Sequence, residues 1–136
     1  MKIFGIGTDI VNIQRMDKSL KKYGFNFKKK FFSKNEINYC EKKKNSSSFY
    51  AKRFAAKEAF TKALGTGIIK GVNLKNIEIS NNSKGKPYIL LKGNLSNYLK
   101  KKIKSQNYDI HLSLSDDKPW AQATVIISYS KLKKKL

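Results

Sequence analysis

The sequence has little of what would place it outside the cell, across a membrane or around a metal cluster. A single cysteine, Cys40, cannot form an internal disulfide, which fits a reducing cytosol. With only one histidine as well, His111, a Cys/His zinc site within one chain is excluded. No apolar run approaches the roughly 20 residues that span a bilayer. Asp9 interrupts the apolar N-terminus before a signal-peptide core is complete. These absences point to a soluble cytoplasmic protein. Acids are scarce too: nine Asp and Glu stand against 30 Lys and Arg, a net charge of +21. Such an excess fits an anionic partner: nucleic acid, an anionic membrane or an acidic protein. Yet only Arg15 and Arg53 are arginines, and the lysines accompany abundant Asn. An AT-rich coding sequence gives that pattern without selection for binding, so the charge alone makes an acidic partner plausible and no more.

What is present is enough for a core. The 136 residues are 40% hydrophobic, with eight Phe and seven Tyr, the size and content of one domain. We expect that domain over residues 1–130, with the lysine-rich 131–136 as a frayed tail. Apolar clustering with two glycines predicts a buried strand over 3–13, followed by a short basic helix over 15–23 with Met16, Leu20 and Tyr23 inward. Ser33-Lys34-Asn35-Glu36 is a capping box, opening a helix that runs to about Lys43. The strongest helical signal covers Phe49–Leu64 and stops at Gly65. Strands are expected over 75–80 and 87–91, joined by a polar loop, then a helix from Asn94 or Leu95 to about Ser105. Strands over 109–114 and 120–129 close the domain. The order predicts an α+β fold: a compact single domain with an antiparallel sheet packed on a long buried helix.

Two acidic positions stand out. Asp9 lies in or at the end of the first strand, where a turn-forming or backbone-bonded role is the bland alternative. Glu58 lies in a helix that is apolar or alanine nearly all round, the pattern of a buried helix. Lys62, four residues on, projects within about 40° of it. An exposed pair of that kind is worth only about 0.3–0.5 kcal/mol, whereas charges in an alanine-rich setting call for a partner or ligand. Magnesium is one such completion, since it takes one or two carboxylates, waters and substrate phosphates. Gly65-Thr66-Gly67 and Gly85-Lys86-Pro87 would allow close approach of a phosphate, or simply end a helix and turn a hairpin.

At these residues the sequence resembles the 4′-phosphopantetheinyl transferases, in their small holo-[acyl-carrier-protein] synthase class. The segments that carry the resemblance are Gly5-Ile6-Gly7-Thr8-Asp9-Ile10-Val11, Arg53 through Gly67, Asn76-Ile77-Glu78-Ile79 with Gly85-Lys86-Pro87, and His111 through Asp116 followed by Ala121 to Ile127. They cover almost the whole chain to about Ser130. The resemblance implies transfer of phosphopantetheine from coenzyme A to a serine of apo acyl carrier protein, with release of 3′,5′-ADP, for fatty acid biosynthesis. It implies Mg2+ on Asp9 and Glu58, Lys62 on phosphate, and Glu58 and Lys62 as the catalytic pair. Arg53, Lys62, Gly65, Gly67, Lys86 and Pro87 would line the coenzyme A site. Arg15, with Met16 and Lys22, would grip the acidic carrier protein. A homotrimer with active sites between subunits is implied as well. Glu58 or a metal-held water would take the serine proton.

Two departures matter. Val11 stands where the larger, two-repeat transferases carry another acidic ligand, and Asp116 where many relatives have histidine. His111, the only histidine, has a strand position that favours a structural role. The rivals are a small basic RNA-binding protein and a non-catalytic carrier-protein scaffold. The first leaves Asp9 and Glu58 unexplained and lacks an RNA-recognition signature, so neither nucleic acid nor membrane is the expected partner. The second is disfavoured by intact Asp9, Glu58 and Lys62.

Overall fold

A computed structural model of the chain describes residues 1–65 and 72–131. Gly67, expected at the coenzyme A site, and the tail beyond Lys131 lie outside the described residues. The chain begins with strand β1 (Lys2–Asn12), which passes directly into helix α1 (Ile13–Phe31), where the Asn12 side chain accepts the Arg15 backbone N–H as the cap. The span of α1 holds two helical runs. Gly24, at φ 59 and ψ −141, lies outside the helical region and interrupts it, in a conformation open essentially to glycine alone. The first run therefore stops at Tyr23 as expected, and a second run continues to Phe31. Helix α2 (Lys34–Glu41) opens with the expected capping box, and α3 (Ser46–Leu64) ends at Gly65 with φ 78. A 3-10 turn at Leu74–Asn76 takes the start of the expected strand, leaving β2 (Ile77–Asn81) and β3 (Pro87–Leu91) as a hairpin. Helix α4 (Leu95–Ile103) begins without a side-chain bond from Asn94, so that residue does not cap as expected. Strands β4 (Asn107–Asp117) and β5 (Trp120–Ser130) follow.

The fold is α+β, as expected, but the strands form two antiparallel sheets: β1-β5-β4, and the separate hairpin β2-β3. The three-stranded sheet alternates cleanly. Gly5, Gly7, Asp9 and Val11 share one face of β1, while Ile6, Thr8 and Ile10 take the other and are exposed. Helix α3 lies across the first face, packed on β1 and β5, with α1, α2 and β2 around its remaining sides. That enclosure is why it is apolar nearly all round: Ala55, Ala56, Ala59 and Phe60 are fully buried.

The approach of α3 to β1 is unusually close. A Cβ added at Gly5 would stand 1.8 Å from the Ala63 carbonyl oxygen, and one added at Gly7 would stand 1.8 Å from that of Ala59. Both obstacles are backbone, so neither can rotate away. The two glycines therefore set the distance between strand and helix. On the far side of α3 a buried ion pair does the fastening. Lys57, fully buried, donates to Glu36 at 2.7 Å and to the carbonyls of Leu74 and Ile77. Glu36 also accepts from Ile79 N at 3.1 Å, so α2, α3 and β2 meet on one satisfied network. Among the described residues no helix is long and apolar enough to cross a membrane.

Gly7→Ala should lower unfolding free energy by about 3 kcal/mol or more, because a methyl group must displace helix backbone. Urea titration followed by circular dichroism checks this, and a loss under about 0.5 kcal/mol would mean that strand and helix slide apart freely.

Candidate active site

The glycine contacts decide where Asp9 goes. Strand and helix run antiparallel, since Gly5 meets Ala63 and Gly7 meets Ala59. The next residue on that face of β1 is Asp9, which comes level with the turn Ala55–Glu58 of α3, one turn before Lys62. Lys62 Nζ stands 3.1 Å from Asp9 Oδ1 and donates to the Thr8 carbonyl at 2.9 Å. The bland alternative, a Glu58–Lys62 ion pair along the helix, is not formed, and Lys62 bonds across to the strand instead. Lys62 is also not sunk in the core, its side chain being 53% exposed, whereas that of Asp9 is 18% exposed. The fully buried lysine of this helix is Lys57, which sequence reasoning passed over.

Glu58 is half-buried and, among the described residues, has no ion pair or side-chain hydrogen bond. Burial, chiefly, and the nearby Asp9 charge hold its carboxyl above the usual range, with Lys62 acting in the opposite direction. Asp9 and Glu58 open onto one groove of about 420 Å³, whose walls include Arg15, Met16, Phe54 and Trp120. Arg15 is exposed at the start of α1. Met16, expected as an apolar anchor for a partner, is 5% exposed and belongs with Leu20 to a core cluster beneath α1. It can form the groove floor but does not protrude. Lys22 is exposed on α1, beside Tyr23.

Other expected residues lie elsewhere in the single chain. Arg53 is 2% exposed, donates to Asn81 at 2.7 Å and stacks over Tyr39. It borders a second notch with Asn81 and Gly85, on a face of α3 away from Glu58. Lys86 and Pro87 follow Gly85 at the exposed hairpin corner, where Asn82 accepts the Lys86 N–H. Gly65 ends α3 with open space around it. His111 bonds Ser128 at 2.9 Å on the outer face of the sheet, and Asp116 pairs with Lys52 at 3.1 Å. Neither borders the groove. Burial pushes the Cys40 thiol up to about 12, which removes it as a nucleophile.

The groove thus brings together two carboxylates and an exposed arginine, with half-exposed Lys62 bonded to Asp9. Among the described residues no group of three or more His, Cys, Asp or Glu side chains could enclose a metal ion. Two carboxylates suit a cation that keeps waters and completes its shell with substrate oxygens.

Residues 5–124 match the family model of the 4′-phosphopantetheinyl transferase superfamily. The chain is 46% identical over 127 residues to the holo-[acyl-carrier-protein] synthase of Pelagibacter ubique, covering 93% of this chain and 98% of the relative. In structure it is similar to the synthase from Neisseria meningitidis, with a TM-score of 0.84 and 36% identity, covering 93% of this chain and 98% of that one. The Helicobacter pylori synthase in complex with coenzyme A gives a TM-score of 0.78 at 36% identity, covering 90% of this chain and 99% of that one.

The direction of the Glu58 shift gives a stability test. A folded pKa above the unfolded value means that folding retains the proton. Stability is then greatest below the ordinary carboxylate range and falls as pH rises through the raised value. Glu58→Gln should therefore melt higher than wild type at pH 7.5 in a chelating buffer, with the gap closing below about pH 4. Scanning calorimetry across that range reads it, and a variant that melts lower at pH 7.5 would contradict it.

Proposed function

The chain belongs to the 4′-phosphopantetheinyl transferase superfamily, as an enzyme of its holo-[acyl-carrier-protein] synthase class, and from that premise we propose how its groove moves phosphopantetheine from coenzyme A to a carrier-protein serine. The observation that carries this reading is the convergence of Asp9, Glu58 and Lys62 at one groove beside Arg15. Asp9 and Glu58 would hold Mg2+, which when bound neutralises charge on the pyrophosphate of coenzyme A.

The chain's own residues supply the rest. Lys62 is exposed enough to leave Asp9 and meet a phosphate oxygen, where its charge counters what builds up as the bridging P–O bond breaks. The serine oxygen of the carrier protein attacks the phosphorus on the pantetheine side. A new P–O bond forms, the bond to the nucleotide half breaks, and 3′,5′-ADP leaves. The serine proton goes to Glu58 or to a water beside it. Arg53, Gly65, Gly67, Lys86 and Pro87 remain the proposed nucleotide end.

Carrier docking falls to α1. Arg15 and Lys22, with Lys18 and Lys21, present positive charge beside the groove, and Tyr23 and Phe25 stay 55% and 61% exposed as apolar contacts. An acidic helix with an apolar edge fits that combination. A homotrimer is favoured by the outer face of the three-stranded sheet, where Ile6 and Ile10 are 64% and 59% exposed. We assign the reaction to the cytoplasm, a reading supported by coenzyme A and carrier protein as substrates and by an unpaired buried cysteine.

Mass spectrometry of apo carrier protein incubated with the chain, coenzyme A and Mg2+ should show one added phosphopantetheine, absent when a chelator is added. Glu58→Gln should slow transfer by at least about 100-fold. Arg15→Glu should raise KM for carrier protein and leave KM for coenzyme A nearly unchanged. A folded chain that never modifies a competent carrier protein overturns the reading.

A further inference from the structure

Lys62 has two acceptors in this structure, and both belong to β1. Its ammonium rests 2.9 Å from the Thr8 carbonyl and 3.1 Å from Asp9 Oδ1. It does not bond Glu58, one turn back on its own helix, although that carboxylate is within easy reach by sequence spacing. The lysine therefore sits on the one carboxylate of the pair that the strand contributes, and leaves the helix carboxylate with no ion pair among the described residues, only the more distant pull of the Lys62 charge. Its side chain is 53% exposed, so the ammonium has solvent into which it can swing towards another acceptor. A divalent cation approaching the groove would need the same Asp9 carboxylate, and two cations at contact distance on one carboxylate repel. Only an incoming polyanion changes the balance: phosphate oxygens offer Lys62 other acceptors and add negative charge where the cation must settle.

Resting on the metal-assisted reading above, we propose that Lys62 reserves Asp9 until coenzyme A arrives, so that metal and coenzyme A bind cooperatively through this one lysine. Metal affinity of the free protein is kept low, and the pyrophosphate raises it twice over, once as a source of ligands and once by drawing Lys62 off Asp9. By thermodynamic reciprocity the metal tightens coenzyme A by the same factor. The lysine thus acts before the transfer step as well as during it.

The test measures metal binding directly. Mn2+ serves as the probe for Mg2+, with the free ion counted by electron paramagnetic resonance at fixed ionic strength, with and without coenzyme A. Lys62→Met keeps much of the stem and removes the charge, and should bind Mn2+ about three- to tenfold tighter than wild type in the absence of coenzyme A. The enhancement by coenzyme A should shrink by the same factor, while transfer activity falls. Lys62→Arg, which keeps the charge, should stay near wild type in Mn2+ affinity. A purely structural lysine would leave Mn2+ affinity unchanged or weaken it on removal. If Lys62→Met is folded and binds Mn2+ no tighter than a wild type that does bind it with coenzyme A, the proposal is wrong and the metal reading stands. If wild type binds no Mn2+ with or without coenzyme A, the metal reading of Asp9 and Glu58 falls, and this proposal with it.

Discussion

The site depends on a contact with no side chain on the strand side: β1 backbone lying against α3 backbone through Gly5 and Gly7. Any larger residue at either position would push the helix away from the strand. At that spacing, the third residue on the same face of the strand, Asp9, comes level with the turn Ala55–Glu58, and Lys62, one turn further on, reaches it through its long side chain. The active groove is thus a register consequence: the strand's period of two, laid against the helix's 3.6, puts one acid from each element side by side. The small residues Ala55, Ala59 and Ala63 are the helix's part of the same contact. They also leave room for groups on the opposite side, where Lys57 is fully buried and answered by Glu36 and two carbonyls.

The scarcity of acids sharpens the assignment of roles. Six of the nine are engaged by lysines: Asp9, Asp17, Glu36, Glu41, Glu78 and Asp116. Asp109 and Asp117 are exposed, where hydration suffices. Glu58 alone among the described residues combines partial burial with no ion pair, in a chain of net charge +21. Lysine is abundant enough to neutralise every carboxylate, so an unneutralised, sheltered one marks a place kept for something else. Glu36 shows the opposite solution. It caps α2 with one oxygen while serving Lys57 and β2, and that network ties the helix layer to the hairpin.

How much was legible in the sequence follows from the range of each interaction. The capping box at Ser33, the stop at Gly65 and the order of elements are local, and they appear where expected. The short basic helix over 15–23 also ends where expected, at the non-helical Gly24, while the second helical run to Phe31 was not foreseen. The two sheets were read as one because pairing between strands is not a local property. The helical wheel placed Glu58 beside Lys62, yet a wheel sees neighbours on one helix and not the strand lying across it, so it missed that Lys62 turns to Asp9. It missed for the same reason that the buried charge of α3 is Lys57. Met16 had two readings in the sequence, inward residue and partner anchor, and the burial under α1 favours the first. Asp9 and Glu58 stood out from the residues alone and could be joined as carboxylates for one cation, but the coenzyme A chemistry required the resemblance.

The charge excess can now be divided by place. On α4, Lys100, Lys101 and Lys102 stand in the last turn, where they complement the helix dipole whatever the protein binds. On α1 the lysines and Arg15 stand beside the groove, next to aromatic rings left exposed. The same residue type therefore has a local structural account at one site and a recognition account at the other. A uniform field from +21 would draw any polyanion toward the molecule, but it cannot choose where that partner comes to rest. That choice needs apolar surface beside the charge, and α1 supplies it within reach of Asp9 and Glu58. Electrostatics would bring an acidic partner to the protein, and under the proposed docking the aromatic end of α1 would hold it at the groove.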